Sequence, residues 1–285
     1  MKFNKLYIYI LVILFTACED PIPKEYIPNI IVEALLVVGE PIQNIRITRT
    51  QSLFEPFSYD SSLVKDAKVT ITDGEYIFNL EYKHSDTIGK SGYFCVDENY
   101  HVKKSTSYSL YIELNNGEVI TGRTTTPDSI YWVRRIGDYL QYPIDTLKLP
   151  STDSIAWDGG ATPYLISVTC LDTLNYGIYL EEPMPQELNR HTYPEIKNEK
   201  AYRETCVMSF IPAKKTPVVW RFLKWFGKHE TAIWYPDENY LNWFLQNSWS
   251  ATLEKRFSSI SGDAYGFFGS AFVIRDTAVV LKNKP

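Results

Sequence analysis

Histidine and cysteine are scarce, with four of each in 285 residues. His84, His101, His191 and His229 lie far apart, and none has another histidine or a cysteine within four positions. That scatter argues against a zinc site and against nucleophile–histidine chemistry. No Cys-x-x-Cys occurs. Excess charge of one sign is also lacking. The 29 Lys and Arg are interspersed with 34 Asp and Glu for a net charge of -5. No basic stripe points to nucleic acid, and no acidic block points to a solvated tail. The apolar run at residues 6–15 falls well short of the roughly 20 residues a spanning helix needs. These absences leave an acidic, soluble ectodomain.

Aromatic residues are plentiful, at 15% of the chain, with 21 Tyr, 14 Phe and 7 Trp. Aromatic and β-branched side chains suit a pleated sheet, and the 45% hydrophobic share is ample for a core. The length allows one large domain or two ordinary ones.

The N-terminus reads as an address. Lys2 and Lys5 precede the apolar run, and Thr16-Ala17-Cys18 follows it. Charge, apolar run, small residue and cysteine in that order form a signal peptide. Leu14-Phe15-Thr16-Ala17-Cys18 resembles the lipobox of bacterial lipoproteins, with Phe15 in place of the usual Leu. The resemblance implies removal of residues 1–17 and palmitate-type acylation of Cys18. Glu19-Asp20 resemble the surface-export signals of Bacteroidota lipoproteins, and a plain solvated tether is the alternative. Pro21 and Pro23 stiffen residues 18–28 into an extended spacer.

From residue 29 to residue 126 the pattern is period two. Residues 30–36, 45–50, 67–72, 76–80, 92–96, 107–114 and 119–125 read as strands, with Asp73-Gly74 as a hairpin turn. Such a succession predicts an immunoglobulin-like or transthyretin-like β-sandwich. Thr126-Pro127 closes it, and residues 127–285 are expected to form a second β-rich domain.

In that second part, Ser154-Ile155-Ala156-Trp157-Asp158 and residues 163–169 resemble a strand passage of fibronectin type III modules. There the Trp fills the core and the Tyr, here Tyr164, opens the next strand. Residues 232–235 read as a strand. Pro236-Asp237-Glu238 then opens a helix over residues 237–249, with Pro in its first turn and acids at its positive end. Tyr240, Leu241, Phe244, Leu245 and Ser248 share one helical face and are expected to be core. Residues 218–227 fit a strand or a helix equally. Near the end, Gly262, Gly266 and Gly269 alternate with large rings. No Gly-Lys-Ser/Thr follows them, so they predict close backbone packing and not a phosphate loop. Residues 272–274 and 278–281 are expected as strands.

Several motifs occur in a familiar order. They are the lipobox Cys18, Ala67-Lys68-Val69-Thr70-Ile71-Thr72-Asp73-Gly74, Ser91-Gly92-Tyr93, the strand with Tyr108, Leu110 and Ile112, Thr126-Pro127, a Tyr-rich helix, and Gly266-Phe267-Phe268-Gly269. In that order the chain resembles the Bacteroidota lipoproteins of the DUF4249 family over nearly all of its mature length. The resemblance implies no catalytic residues. It implies a role at the cell outer membrane beside a TonB-dependent receptor, in nutrient capture.

No side-chain set reads as catalytic, and no metal or cofactor is expected. Neither Asp237-Glu238 nor Glu181-Glu182 forms two opposed acids of the kind a glycosidase needs. Cys95, Cys170 and Cys206 remain after lipidation. Cys170 with Cys206 could bridge in an oxidising compartment, and buried thiols are equally compatible. Candidate contact residues are the aromatics Phe54, Phe57 and Tyr59 in one loop, Trp132 with Tyr139, and Trp225. The function expected is a non-catalytic binding lipoprotein. A surface hydrolase acting on glycan or peptide and a purely structural envelope protein are the alternatives.

Overall fold

The computed structural model describes residues 26–52, 54–86, 89–141, 154–171, 206–218, 222–223, 227–249 and 257–281. Cys18, Glu19, Asp20 and Trp225 lie outside the described residues, as does most of the ambiguous stretch 218–227. The protein is mainly β. Its first half holds β1 (Ile30–Val37), β2 (Arg46–Arg49), a short helix α1 (Tyr59–Ser62), β3 (Lys68–Thr72), β4 (Ile77–Lys83), β5 (Gly92–Cys95), β6 (Ser107–Glu113) and β7 (Val119–Thr125). These strands stand where the alternation places them. The second half adds β8 (Tyr131–Arg134), β9 (Tyr139–Gln141), β10 (Ser154–Asp158), β11 (Tyr164–Cys170), β12 (Cys206–Ile211), β13 (Lys215–Pro217), β14 (Gly227–Pro236), helix α2 (Glu238–Trp249), β15 (Ile260–Ser261) and β16 (Ala264–Leu281).

Three sheets form a sandwich-like stack. A large sheet runs β12-β11-β14-β16-β1-β2, with β9 also paired to β16, and a six-stranded sheet runs β15-β7-β6-β3-β4-β5. A three-stranded sheet runs β13-β10-β8. Along β1, Ile30, Val32, Ala34 and Leu36 are buried while Ile31, Glu33, Leu35 and Val37 are half-exposed. That period-two split is what a strand with one covered face requires. The buried set meets Val69, Ile71, Tyr108, Leu110 and Ile112 of the six-stranded sheet in one core. Further along the same face, Tyr164, Ile166 and Ile233 meet Ile155 and Trp157 of the three-stranded sheet, with Ile130 just before β8. Trp157 and Tyr164 are buried with their rings edge-on at 5.6 Å, and they sit on facing sheets.

The halves of the chain interleave. β1 pairs in parallel with β16, Ile30 opposite Ala264 through Val37 opposite Ala271, and β15 pairs with β7. The closing strands expected at residues 272–274 and 278–281 are one 18-residue strand that begins in the glycine-spaced segment. Gly266 there has φ +130°, and a Cβ on it would lie 1.9 Å from the Val32 carbonyl oxygen. This is the close backbone packing the glycines predict, since only hydrogen fits at that contact. Pro236 ends β14 and does not enter the helix; Asp237 takes the capping position.

The Asp73-Gly74 turn joins β3 to β4 as expected, and its side chain is a small network. Asp73 accepts from the amides of Glu75 at 3.1 Å and Tyr76 at 2.9 Å, from the Tyr100 hydroxyl at 3.1 Å and from Lys103 Nζ at 3.1 Å. Burial pushes the Asp73 carboxyl upward, but these donors outweigh it and hold the group at about 2. A depressed carboxylate contributes stability that is present above its unfolded value near 4 and is lost as pH falls through its folded value. Asp73→Asn is therefore expected to be less stable than wild type at pH 7, with the gap closing between about pH 4 and pH 2. Urea denaturation at several pH values checks this, and a gap that stays constant to pH 2 would contradict it.

Candidate functional site

One face of the large sheet is covered along its length by the other two sheets. The opposite face carries α2, and beside that helix lies a cleft of about 610 Å³. Its floor is Glu33, Leu35 and Val37 of β1, Phe267 of β16 and Trp234 of β14, the side chains that strand alternation turns away from the buried core. One wall is Tyr240, Trp243 and Phe244 of α2, and the other is the 40–46 segment with Lys90 and Phe94.

The aromatic wall is locked by packing. The Tyr240 and Phe267 rings stack at 5.4 Å, and Trp243 leans on Phe267 at 5.4 Å. Trp234 donates its indole N–H to Ser167 Oγ at 2.8 Å, and the Arg275 guanidinium lies 5.7 Å from its ring centre. The charges are paired. Arg46 meets Glu33 at 2.9 Å across the β1–β2 register, and Arg275 meets Glu40 at 2.7 Å. Rigid rings beside paired guanidinium and carboxylate groups can stack on a ligand's flat faces and exchange hydrogen bonds with its polar edge.

Helix α2 is placed by its cap. Asp237 Oδ1 accepts from the Tyr240 amide at 2.9 Å, and its other carboxylate oxygen accepts from the Thr124 hydroxyl. Thr124 and Ser270 share a hydrogen bond at 2.9 Å, and Asn239 Nδ2 donates to the carbonyls of Arg123 at 2.8 Å and Phe268 at 2.9 Å. Gly269 lies directly beneath. A Cβ there would come within 2.8 Å of the Tyr240 amide nitrogen, so glycine is what lets the helix start sit on the strand. Burial pushes the Asp237 carboxyl above its ordinary value, opposed by the bonds from Thr124 and the Tyr240 amide.

A raised folded-state value means this carboxyl favours the fold most at acid pH and loses that contribution as pH rises through it. Asparagine keeps the cap acceptor without the buried charge. Asp237→Ala is expected to cost about 2 kcal/mol, from the lost cap and the lost bond to the buried Thr124 hydroxyl. Asp237→Asn is expected to lose less and to gain on wild type as pH rises above the unfolded carboxyl value near 4. Thermal melts of both variants check this, and equal losses would contradict it.

The aromatics singled out from sequence stand elsewhere. Phe54 and Phe57 are exposed, while Tyr59 is half-buried in α1. Trp132 is half-buried against the core under the three-stranded sheet and donates to the Arg275 carbonyl at 3.3 Å; Tyr139 is exposed. None of these lines the cleft. Of the helical stripe, Tyr240, Leu241, Phe244 and Leu245 are half-buried, and Tyr240 and Phe244 serve as both packing and cleft wall. Sequence reasoning passed over Glu33, Arg46, Lys90, Phe94, Trp234, Trp243 and Phe267. Glu33 was the available signal, a charge in the middle of an apolar strand. Cys95 is a buried thiol, and Cys170 is buried at the end of β11. The β11–β12 register sets Cys206 opposite Thr169. Among the described residues, no three metal-ligating side chains converge, and no helix is long and apolar enough to cross a membrane.

The family described as Domain of unknown function (DUF4249) matches residues 18–273. No curated protein matches the chain. Among solved structures, Escherichia coli alpha-2-macroglobulin activated by porcine elastase aligns at 10% identity and a TM-score of 0.18. That alignment covers 92% of this chain and 24% of the other, and so low a score carries no structural inference.

Proposed function

The chain belongs to the DUF4249 family, and from that premise we propose that it is an outer-membrane accessory lipoprotein, acylated at Cys18, that binds its ligand without converting it. The observation that supports this reading is the cleft between α2 and the 40–46 segment. Its carboxylates Glu33 and Glu40 are each engaged by an arginine, so neither stands as a poised acid or base. Tyr240, Trp243 and Phe267 hold one another and Ser167 holds Trp234, which lowers the ordering cost of binding. The proposed occupant is a nutrient molecule on its way to a TonB-dependent receptor, with the receptor docked alongside.

Affinity isolation of the tagged protein from membranes, followed by mass spectrometry, tests the reading. Recovery of a TonB-dependent receptor with wild type, and its loss with Trp243→Ala and Arg46→Ala together, is the expected result. A clean monomer that turns over a glycan or a peptide would replace it with the surface-hydrolase alternative. The anchor is tested separately. Radiolabelled palmitate should enter wild type and not Cys18→Ala, and equal labelling of the two would end that claim.

A further inference from the structure

We propose that the loop of residues 51–58 dips into the lipid surface to which the chain is anchored and seats the sheet end-on against the membrane. This rests on the lipid-anchor reading above. Phe54 and Phe57 leave 90% and 74% of their surface in solvent, and moving such rings out of water is favourable. The loop is built, because Gln51 closes its base. Gln51 Nε2 donates to the Ser58 carbonyl at 2.7 Å and to Ser61 Oγ at 2.8 Å, and its Oε1 accepts from the Ser58 amide at 2.9 Å. Two phenyl rings are thus held outward on a clamped loop.

The position of the loop identifies what covers it. β1 and β16 are parallel and β2 is antiparallel to β1, so the starts of β1 and β16 and the end of β2 share one end of the sheet. The loop leaves from the end of β2. The incoming chain is fastened at the same place. Tyr26 donates its hydroxyl to Thr50 Oγ1, the Asn29 amide donates to the same oxygen at 2.9 Å, and the Thr50 amide donates to the Asn29 carbonyl at 2.9 Å. Ile27, 79% exposed, and the partly exposed Tyr26 and Tyr265 stand at this end as well.

Between Cys18 and Tyr26 the chain reaches at most about 29 Å when fully extended. The far end of β16, at Leu281, lies about 50 Å along the strand from Tyr265. A bilayer holding the Cys18 lipid therefore reaches this end and not the other. Glu55 is exposed between the two phenylalanines, and a carboxylate is costly in the hydrocarbon centre. Insertion therefore stops at headgroup depth, as for other interfacial apolar anchors.

The test uses an environment-sensitive dye on Phe57→Cys, with Leu281→Cys as the distant control and labelling of the wild-type chain as the background. Two preparations are bound to vesicles of phosphatidylethanolamine and phosphatidylglycerol. One is the native lipoprotein, and the other is the mature chain held by an N-terminal histidine tag on chelating lipid. Position 57 is expected to shift its emission to the blue and to be quenched by lipids brominated near the headgroup, while position 281 stays water-like. A water-like signal at position 57 on vesicle-bound protein, or equal shifts at both positions, overturns the proposal. If the native protein fails to float with vesicles, the anchor reading fails, and the chelated chain still decides the loop.

Discussion

Gly266→Ala is expected to leave little folded protein at physiological temperature. A Cβ at this position would stand 1.9 Å from the Val32 carbonyl oxygen and 2.8 Å from the Val32 carbonyl carbon and amide nitrogen. All three are backbone atoms in the middle of the β1–β16 pairing, so no flexible side chain can move aside. The φ of +130° adds strain of its own for any residue with a Cβ. Separating the strands would break the parallel ladder that joins the two ends of the chain. The expected loss exceeds about 4 kcal/mol, a large share of the 5–15 kcal/mol that holds a typical domain together. Gly74→Ala is the matched control. It has φ +92° with open space around it, so it should cost only about 1 kcal/mol. Circular dichroism melts of the two variants decide the matter. A Gly266→Ala protein that melts within a few degrees of wild type would show that the strands can separate without loss.

Phe268→Ala is the second large effect, with an expected cost of about 3–5 kcal/mol. Phe268 is fully buried, and its Cβ lies 2.9 Å from where a Cβ on Gly122 would be. Although it comes from the last strand, it packs with Val32, Ala34, Ile71 and Leu110 in the core of the first half. The loss should therefore appear in both halves at once. All 7 tryptophans lie beyond residue 127 and report the second half, while the buried Cys95 thiol reports the first. In denaturant, tryptophan emission and Cys95 labelling should follow one shared transition, shifted together by the substitution. Two separated transitions, with Cys95 protection unchanged, would mean that the first half stands alone.

The sequence by itself determined the local layer of this protein. Alternation placed β1 to β7, and Asp73-Gly74 placed the β3–β4 hairpin. An acid after Pro236 marked the start of α2, and the spaced glycines announced backbone contact at Gly266. Each of these is a property of neighbouring residues, where period and steric preference act without help from the rest of the chain. Only the tertiary structure decided that β16 lies parallel to β1 and carries Phe268 into the first core. Pairing between strands at opposite ends of a chain depends on which faces are left to be covered once all sheets have formed, and no local period encodes that. The cleft has the same origin. Glu33, Arg46, Phe94, Trp234, Trp243 and Phe267 come from five strands and a helix, and each looks like an ordinary strand or helix residue where it stands. They form a site because the two smaller sheets cover one face of the large sheet, while the short α2, fixed by Asp237 and Gly269, covers only part of the other.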